Sequence, residues 1–120
     1  KGGSKSDSGK NRIVPIHPRI MPFVKKRLEK SNEYFLENDE GSKFKKWDFY
    51  EEWKVVIAYI TKKKKTPHEA RHTFETFLDN AGGNRKCIDM LMGHKSKDVG
   101  NRVYNHKTVE QLRDTILLLK

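Results

Sequence analysis

Thr66-Pro67-His68-Glu69-Ala70-Arg71-His72 opens the stretch that organises this 120-residue sequence. The stretch continues through Leu91-Met92-Gly93-His94-Lys95-Ser96 to Val103-Tyr104-Asn105-His106. Thr66 with Glu69 three residues on reads as a capping box, and Pro67 suits the first helical position. A helix is therefore predicted to run to about Asn80, where Gly82-Gly83 stops it. His68 and Arg71, three apart, project from one face of that helix. His68 falls in the first turn, among unpaired backbone N–H groups at the positive end of the dipole, where an anion is favoured. A second helix, about Arg85 to Leu91, carries Cys87, Ile88 and Leu91 as its apolar set. It ends at Gly93, which delivers His94 just past its C-terminus, and Tyr104 follows ten residues later.

The opening also satisfies His-Glu-x-x-His, in which His68 and His72 would bind zinc and Glu69 would act as general base. Three features oppose this zinc-hydrolase reading. Pro67 puts His68 at the start of a helix, whereas the zinc motif sits inside a long one. Only His94 and Asp98 are candidates for a third ligand, and neither has a clear ligand spacing. Arg71 would place a fixed cation between the two ligands, beside a divalent metal.

Bulk composition sets the frame. The length suits one domain with one modest core. Charged residues make up 35% and hydrophobic residues 34%, with a net charge of +10 spread along the whole chain and a pI near 9.7. Such a domain most often meets nucleic acid, with an anionic membrane surface second. No apolar run reaches the length of a membrane span and no signal peptide is evident, so the expected location is the cytoplasm. The single Cys87 excludes an internal disulfide, and its neighbour Ile88 on the apolar face marks it as core.

Outside the central stretch the residues order themselves simply. Residues 1–17 read as a β-hairpin: a strand end at Lys1–Lys5, a turn at Ser6-Asp7-Ser8-Gly9, and a return strand with Ile13, Val14 and Ile16. Pro15 puts that strand at an edge, and Lys5, Lys10 and Arg12 crowd the turn. A helix of about Arg19 to Lys30 follows, then a short Tyr34-Phe35-Leu36 strand fragment and a loop over 38–43. Phe49, Trp53, Val56, Ile57 and Ile60 recur at helical spacing over about 45–61, with Trp47, Tyr50 and Tyr59 adding bulk; this stripe reads as core. Lys62, Lys63, Lys64 and Lys65 abut the anion site as backbone contacts that bind without reading sequence. A last helix starts at a Thr108/Gln111 capping box and carries Val109, Leu112, Ile116 and Leu119 as one stripe.

The His-x-x-Arg pair, the Gly-His after a helix and the tyrosine about ten residues on resemble the tyrosine recombinase (phage integrase) family. The segment Ser4 to Ile16 resembles that family's lysine-bearing hairpin, with the match on Lys5 and Lys10 as second choice. The resemblance implies the C-terminal part of a catalytic domain, mixed but mainly α-helical with a small N-terminal β-hairpin. Residues 1–17 would be the lysine hairpin, 18–103 the helical core, and 104–120 the nucleophile and C-terminal helix. It implies site-specific recombination by a type IB-like cleavage, with Tyr104 attacking a phosphodiester to give a 3′-phosphotyrosine, without metal, ATP or other cofactor. A phenol with a pKa of about 10 needs a cationic setting. Arg71 would hold the phosphate, His94 would donate to it, His68 would move a proton near the tyrosine, and Lys5 would protonate the leaving 5′-oxygen. Lys10, Arg12, Lys62–Lys65 and Lys95 are the implied DNA contacts. The implied partners are a double-stranded attachment site and other protomers; the 108–120 helix either packs on its own domain or docks on a neighbouring protomer in the DNA-bound assembly. The implied source is a mobile element such as a phage or conjugative transposon, in a bacterial cell or nucleoid.

One departure stands out: the family uses a further arginine upstream of the hairpin lysine, and no residue here matches it. The expectation is thus a fragment of an integrase, impaired or inactive in isolation. Besides the zinc hydrolase, a DNA-binding module without chemistry is the other reading.

Overall fold

The structure, a computed structural model, describes residues 12–31, 33–94 and 106–120, with the side chains of residues 106 and 107 left out of the description. Among the described residues there are five helices: α1 (Met21–Lys30), α2 (Lys46–Ile60), α3 (Pro67–Asn80), α4 (Arg85–Met92) and α5 (His106–Leu117). They belong to two compact units, one of residues 18–70 and one of residues 1–17 with 71–120. The architecture is mainly helical, as expected. The N-terminal hairpin is not supported: among residues 12–17 only Arg12 takes part in a single β-bridge and no strand forms, and the turn with Lys5 and Lys10 lies outside the described residues. Pro15 removes a ladder donor, and a two-stranded pair without a third strand is marginal in water.

In the 18–70 unit, α1 carries Pro22 in its first turn and stops where the Ser31 N–H donates to Arg27 O. The Tyr34-Phe35-Leu36 strand does not form. Instead the Glu37 carboxylate accepts the backbone N–H groups of Glu33 and Tyr34, and an isolated antiparallel bridge joins Glu37 to Lys43. The aromatic stripe of α2 is the larger correction. None of its residues is buried, and Trp47, Tyr59 and Ile60 are more than two-thirds exposed. Phe49 stacks on Trp53, and the Trp53 indole N–H donates to Lys65 O at 2.6 Å, so local partners hold part of the face. A helical stripe is buried only by a facing apolar surface, and α1 exposes its own Phe23 and Leu28.

The second unit contains the core. Leu78 of α3, Cys87, Ile88, Met90, Leu91 and Met92 of α4, and Leu112 and Ile116 of α5 are buried together, with Phe74 and Leu119 packed against them. The α5 stripe packs against α4 of its own unit, one of the two placements the sequence left open. The reason is geometric: α4 is buried along nearly its whole length, and it presents the apolar surface that Leu112 and Ile116 need. The chain after α5 is tied back where the His17 ring lies 2.8 Å from Leu119 O. The α3–α4 turn is close: a Cβ on Gly83 would stand 2.8 Å from Leu78 O and 3.1 Å from Ile88 Cδ1. Ile88, fully buried at this junction, is the sensitive probe. Ile88→Ala is expected to cost about 2–5 kcal/mol and to lower the urea midpoint without changing the slope. A loss under about 1 kcal/mol would show that the site collapses around the deletion.

Candidate active site

The first turn of α3 forms as its sequence dictates. Thr66 Oγ1 accepts the Glu69 N–H at 3.2 Å, and the Glu69 carboxylate accepts the Thr66 N–H at 2.8 Å. Lys65 Nζ reaches the same carboxylate at 2.8 Å. The Lys65 hydrogen bond first, then the Thr66 backbone N–H, hold the Glu69 carboxyl well below its ordinary value of 4.5, at about 2. The ionised cap is thus fully in place above about pH 4.5 and is lost as pH falls through about 2. Glu69→Gln is expected to flatten the pH dependence of α3 stability across that window, as followed by amide exchange at the first turn. An unchanged pH profile would remove Glu69 from the cap.

This arrangement bears on the zinc reading. The Glu69 carboxylate is engaged by Lys65 and Thr66, so it is not poised as a general base beside His68 and His72. His68 is exposed in the first turn of α3, three residues before Arg71 on the same helix. Of the lysine run, Lys62, Lys63 and Lys64 are exposed, while Lys65 is ion-paired with Glu69.

Arg71 and His94 come together through α4. Asn84 caps that helix, its side chain accepting the N–H groups of Lys86 and Cys87 at 3.0 and 3.3 Å. At the other end Gly93 adopts φ 71°, ψ 25°, the left-handed conformation that a side chain would strain. Its turn lets the His94 N–H donate back to Asp89 O at 3.0 Å, which pins His94 at the helix terminus. The half-buried Arg71 guanidinium donates through Nη2 to Met92 O, two residues before His94. Arg12 donates through Nη1 to the same carbonyl at 3.1 Å. Two guanidinium groups thus meet at the negative end of α4. Arg12, expected on the DNA face, is half-buried here.

Three groups near His94 escaped the sequence reading. His94 Nδ1 lies 3.6 Å from Asp89 Oδ1 and 3.9 Å from Glu75 Oε1. Arg85 Nη2 binds those same two oxygens at 2.8 and 2.6 Å. The two hydrogen bonds, to Glu75 and then Asp89, raise the Arg85 pKa above its ordinary value. The donor atoms of Glu75, Asp89 and His94 lie within 4.8 Å of one another, a spacing a metal ion could bridge, yet Arg85 already supplies the cation there. The only sequence signal was spacing: Arg85 and Asp89 are four apart on one helix. Tyr104, Lys5, Lys10 and Lys95 lie outside the described residues. Among the described residues, no helix is long and apolar enough to cross a membrane.

Comparison with known proteins gives the class. The Phage integrase family model matches residues 4–111. Tyrosine recombinase XerD of Vibrio cholerae is 28% identical over 116 residues, covering 88% of this chain and 38% of that protein. Tyrosine recombinase XerA of Thermococcus kodakarensis is 31% identical over 109 residues, covering 87% of this chain and 38% of its own length. Tyrosine recombinase XerC of Staphylococcus saprophyticus is 28% identical over 121 residues, covering 91% and 39%. No solved structure matches the chain significantly. The chain belongs to the phage integrase family, the tyrosine recombinases. It spans about two-fifths of the length of these curated relatives.

Proposed function

We propose that this chain supplies catalytic residues for site-specific DNA recombination, by strand cleavage and rejoining through a 3′-phosphotyrosine. The observation that carries the reading is the contact of Arg71 with the Met92 carbonyl, because it brings the arginine of the His-x-x-Arg motif to the helix end that carries Gly93-His94. Family membership supports it independently.

In this reading the Tyr104 oxygen attacks the scissile phosphorus in line, and the bond from phosphorus to the 5′-oxygen breaks. The phenolic proton passes to His68, and Lys5 protonates the departing 5′-oxygen. Arg71 and His94 hold the non-bridging oxygens, where charge builds in the transition state. The phosphotyrosine conserves the energy of the broken bond, so a second 5′-hydroxyl can attack it and reseal the strand without ATP. Lys62, Lys63 and Lys64, with Lys10, Lys95 and Arg12, contribute charge along the duplex backbone. The partners are double-stranded DNA carrying an attachment site and further protomers of the recombinase. A phage or conjugative transposon is the kind of element such an enzyme serves.

The test is adduct trapping. The complete gene product, with a nicked duplex and a chelator, should yield a denaturant-resistant protein–DNA adduct with the 3′-phosphate bound and a 5′-hydroxyl released. Binding without any adduct would point to a DNA-binding module without chemistry. Activity abolished by the chelator would revive a metal-dependent reading.

A further inference from the structure

We infer that Glu75 and Asp89, clamped together by Arg85, are positioning residues that fix the orientation and tautomer of the His94 ring. Only the catalytic consequence rests on the role proposed for His94 above. The geometry is a closed ring of four atoms, with two short sides at Arg85 and two long sides at His94. Glu75 Oε1 and Asp89 Oδ1 form one diagonal, and Arg85 Nη2 and His94 Nδ1 form the other. Arg85 is in hydrogen-bond contact with both oxygens, while the imidazole nitrogen stands 3.6 and 3.9 Å away, within ion-pair range. Two negative charges are met by one guanidinium, which leaves a formal negative charge facing Nδ1. A lone pair on Nδ1 would point into that charge, and an N–H there is attracted by it. Which nitrogen of a histidine carries the proton is set by what faces the other one.

The carboxylates are themselves well placed to act on the ring. Glu75 is on α3 and Asp89 on α4, so the clamp ties two helices of the same unit to the residue that follows α4. Both side chains are mostly shielded, at 19% and 23% exposed, which protects their field from solvent better than a surface pair. The raised Arg85 pKa follows from the same two contacts, so the clamp keeps its cation. His94 is further fixed through its own backbone, whose N–H donates to Asp89 O. Asp89 therefore holds His94 at two points, once by main chain and once by charge.

The chemical consequence concerns the opposite edge of the ring. With the proton kept at Nδ1, the neutral ring presents a lone pair at Nε2. The donor role proposed for His94 above then belongs to the ring form that carries a proton on both nitrogens.

Long-range proton–nitrogen NMR correlation on this chain, labelled with 15N-histidine, reads the tautomer directly. His94 is assigned by the loss of its signals in His94→Asn. At a pH where the ring is neutral, the majority form should carry its proton on Nδ1. The double variant Glu75→Gln with Asp89→Asn should reverse that majority to the Nε2–H form, with backbone amide signals of α5 unchanged. If the double variant does not fold, Asp89→Asn alone should shift the ratio in the same direction. A parent ring already in the Nε2–H form, or an Nδ1–H majority that survives substitution in a folded variant, overturns the inference. The measurement uses no DNA, so its failure is distinct from a failure of adduct trapping.

Discussion

Tyr104→Phe is expected to abolish covalent attachment to DNA while leaving duplex affinity nearly unchanged. The substitution removes one oxygen and keeps the ring, so whatever the ring packs against is preserved. A covalent catalyst that loses its nucleophile loses on the order of 10⁶ in turnover, which is total in a trapping assay. In the proposed reading the backbone contacts are made by the cationic residues, which the substitution leaves untouched. The measurement is a paired one: adduct yield on a nicked duplex, and Kd for the same duplex at fixed salt. Retained adduct would move the nucleophile elsewhere; a collapse of affinity would make Tyr104 a structural residue.

Arg71→Lys is the second large effect, and it should appear in two separate readouts. Charge is kept, but an ammonium cannot span two phosphate oxygens as a guanidinium fork does. Removing one preorganised donor to a developing anion costs about 10²–10³ in rate. Arg71 also donates to the Met92 carbonyl, so some stability should go with it. That part is limited, because Arg12 still donates to the same oxygen and the carbonyl is not orphaned. A net hydrogen bond is worth about 0.5–1.5 kcal/mol. For a domain of this size that corresponds to a fall of several degrees in Tm. The variant should therefore remain folded at 25 °C and fail in cleavage. A large Tm loss with cleavage intact would reduce Arg71 to a strut.

Much of the fold was legible because its signals are local. The Thr66–Glu69 box, Pro67 and the Gly93 stop depend on neighbours within a turn, and the structure carries all three. Helices α3 and α4 followed from such punctuation and α1 and α2 from periodicity, whereas α5 begins at His106, ahead of the Thr108/Gln111 box expected as its cap. The α2 stripe misled because periodicity reports that a face is apolar, not that another face meets it. For α5 the periodicity was right: its apolar stripe meets the buried face of α4. Arg12 and Met92 are 80 positions apart, a pairing no local pattern encodes. Glu75 and Asp89 look like ordinary surface acids in a charged sequence; only the turn at Gly82-Gly83 brings them to one histidine. Arg71 and His94 were singled out from their motifs, and the structure places Arg71 against the α4 terminus that carries His94; Tyr104 and Lys5 lie outside the described residues.

The contact from Arg71 to the Met92 carbonyl has a thermodynamic consequence. A free arginine side chain carries about 2 kcal/mol of rotamer entropy, and a ligand that immobilises it ordinarily bears that loss. In this unit the loss has already occurred when α4 folds against α3, because the carbonyl restrains the guanidinium before any phosphate arrives. A phosphate then needs to order less of the protein around it. If Arg71 holds phosphate as proposed, part of the affinity for DNA is stored in the folding equilibrium, and substitutions that loosen the C-terminal turn of α4 should weaken phosphate binding.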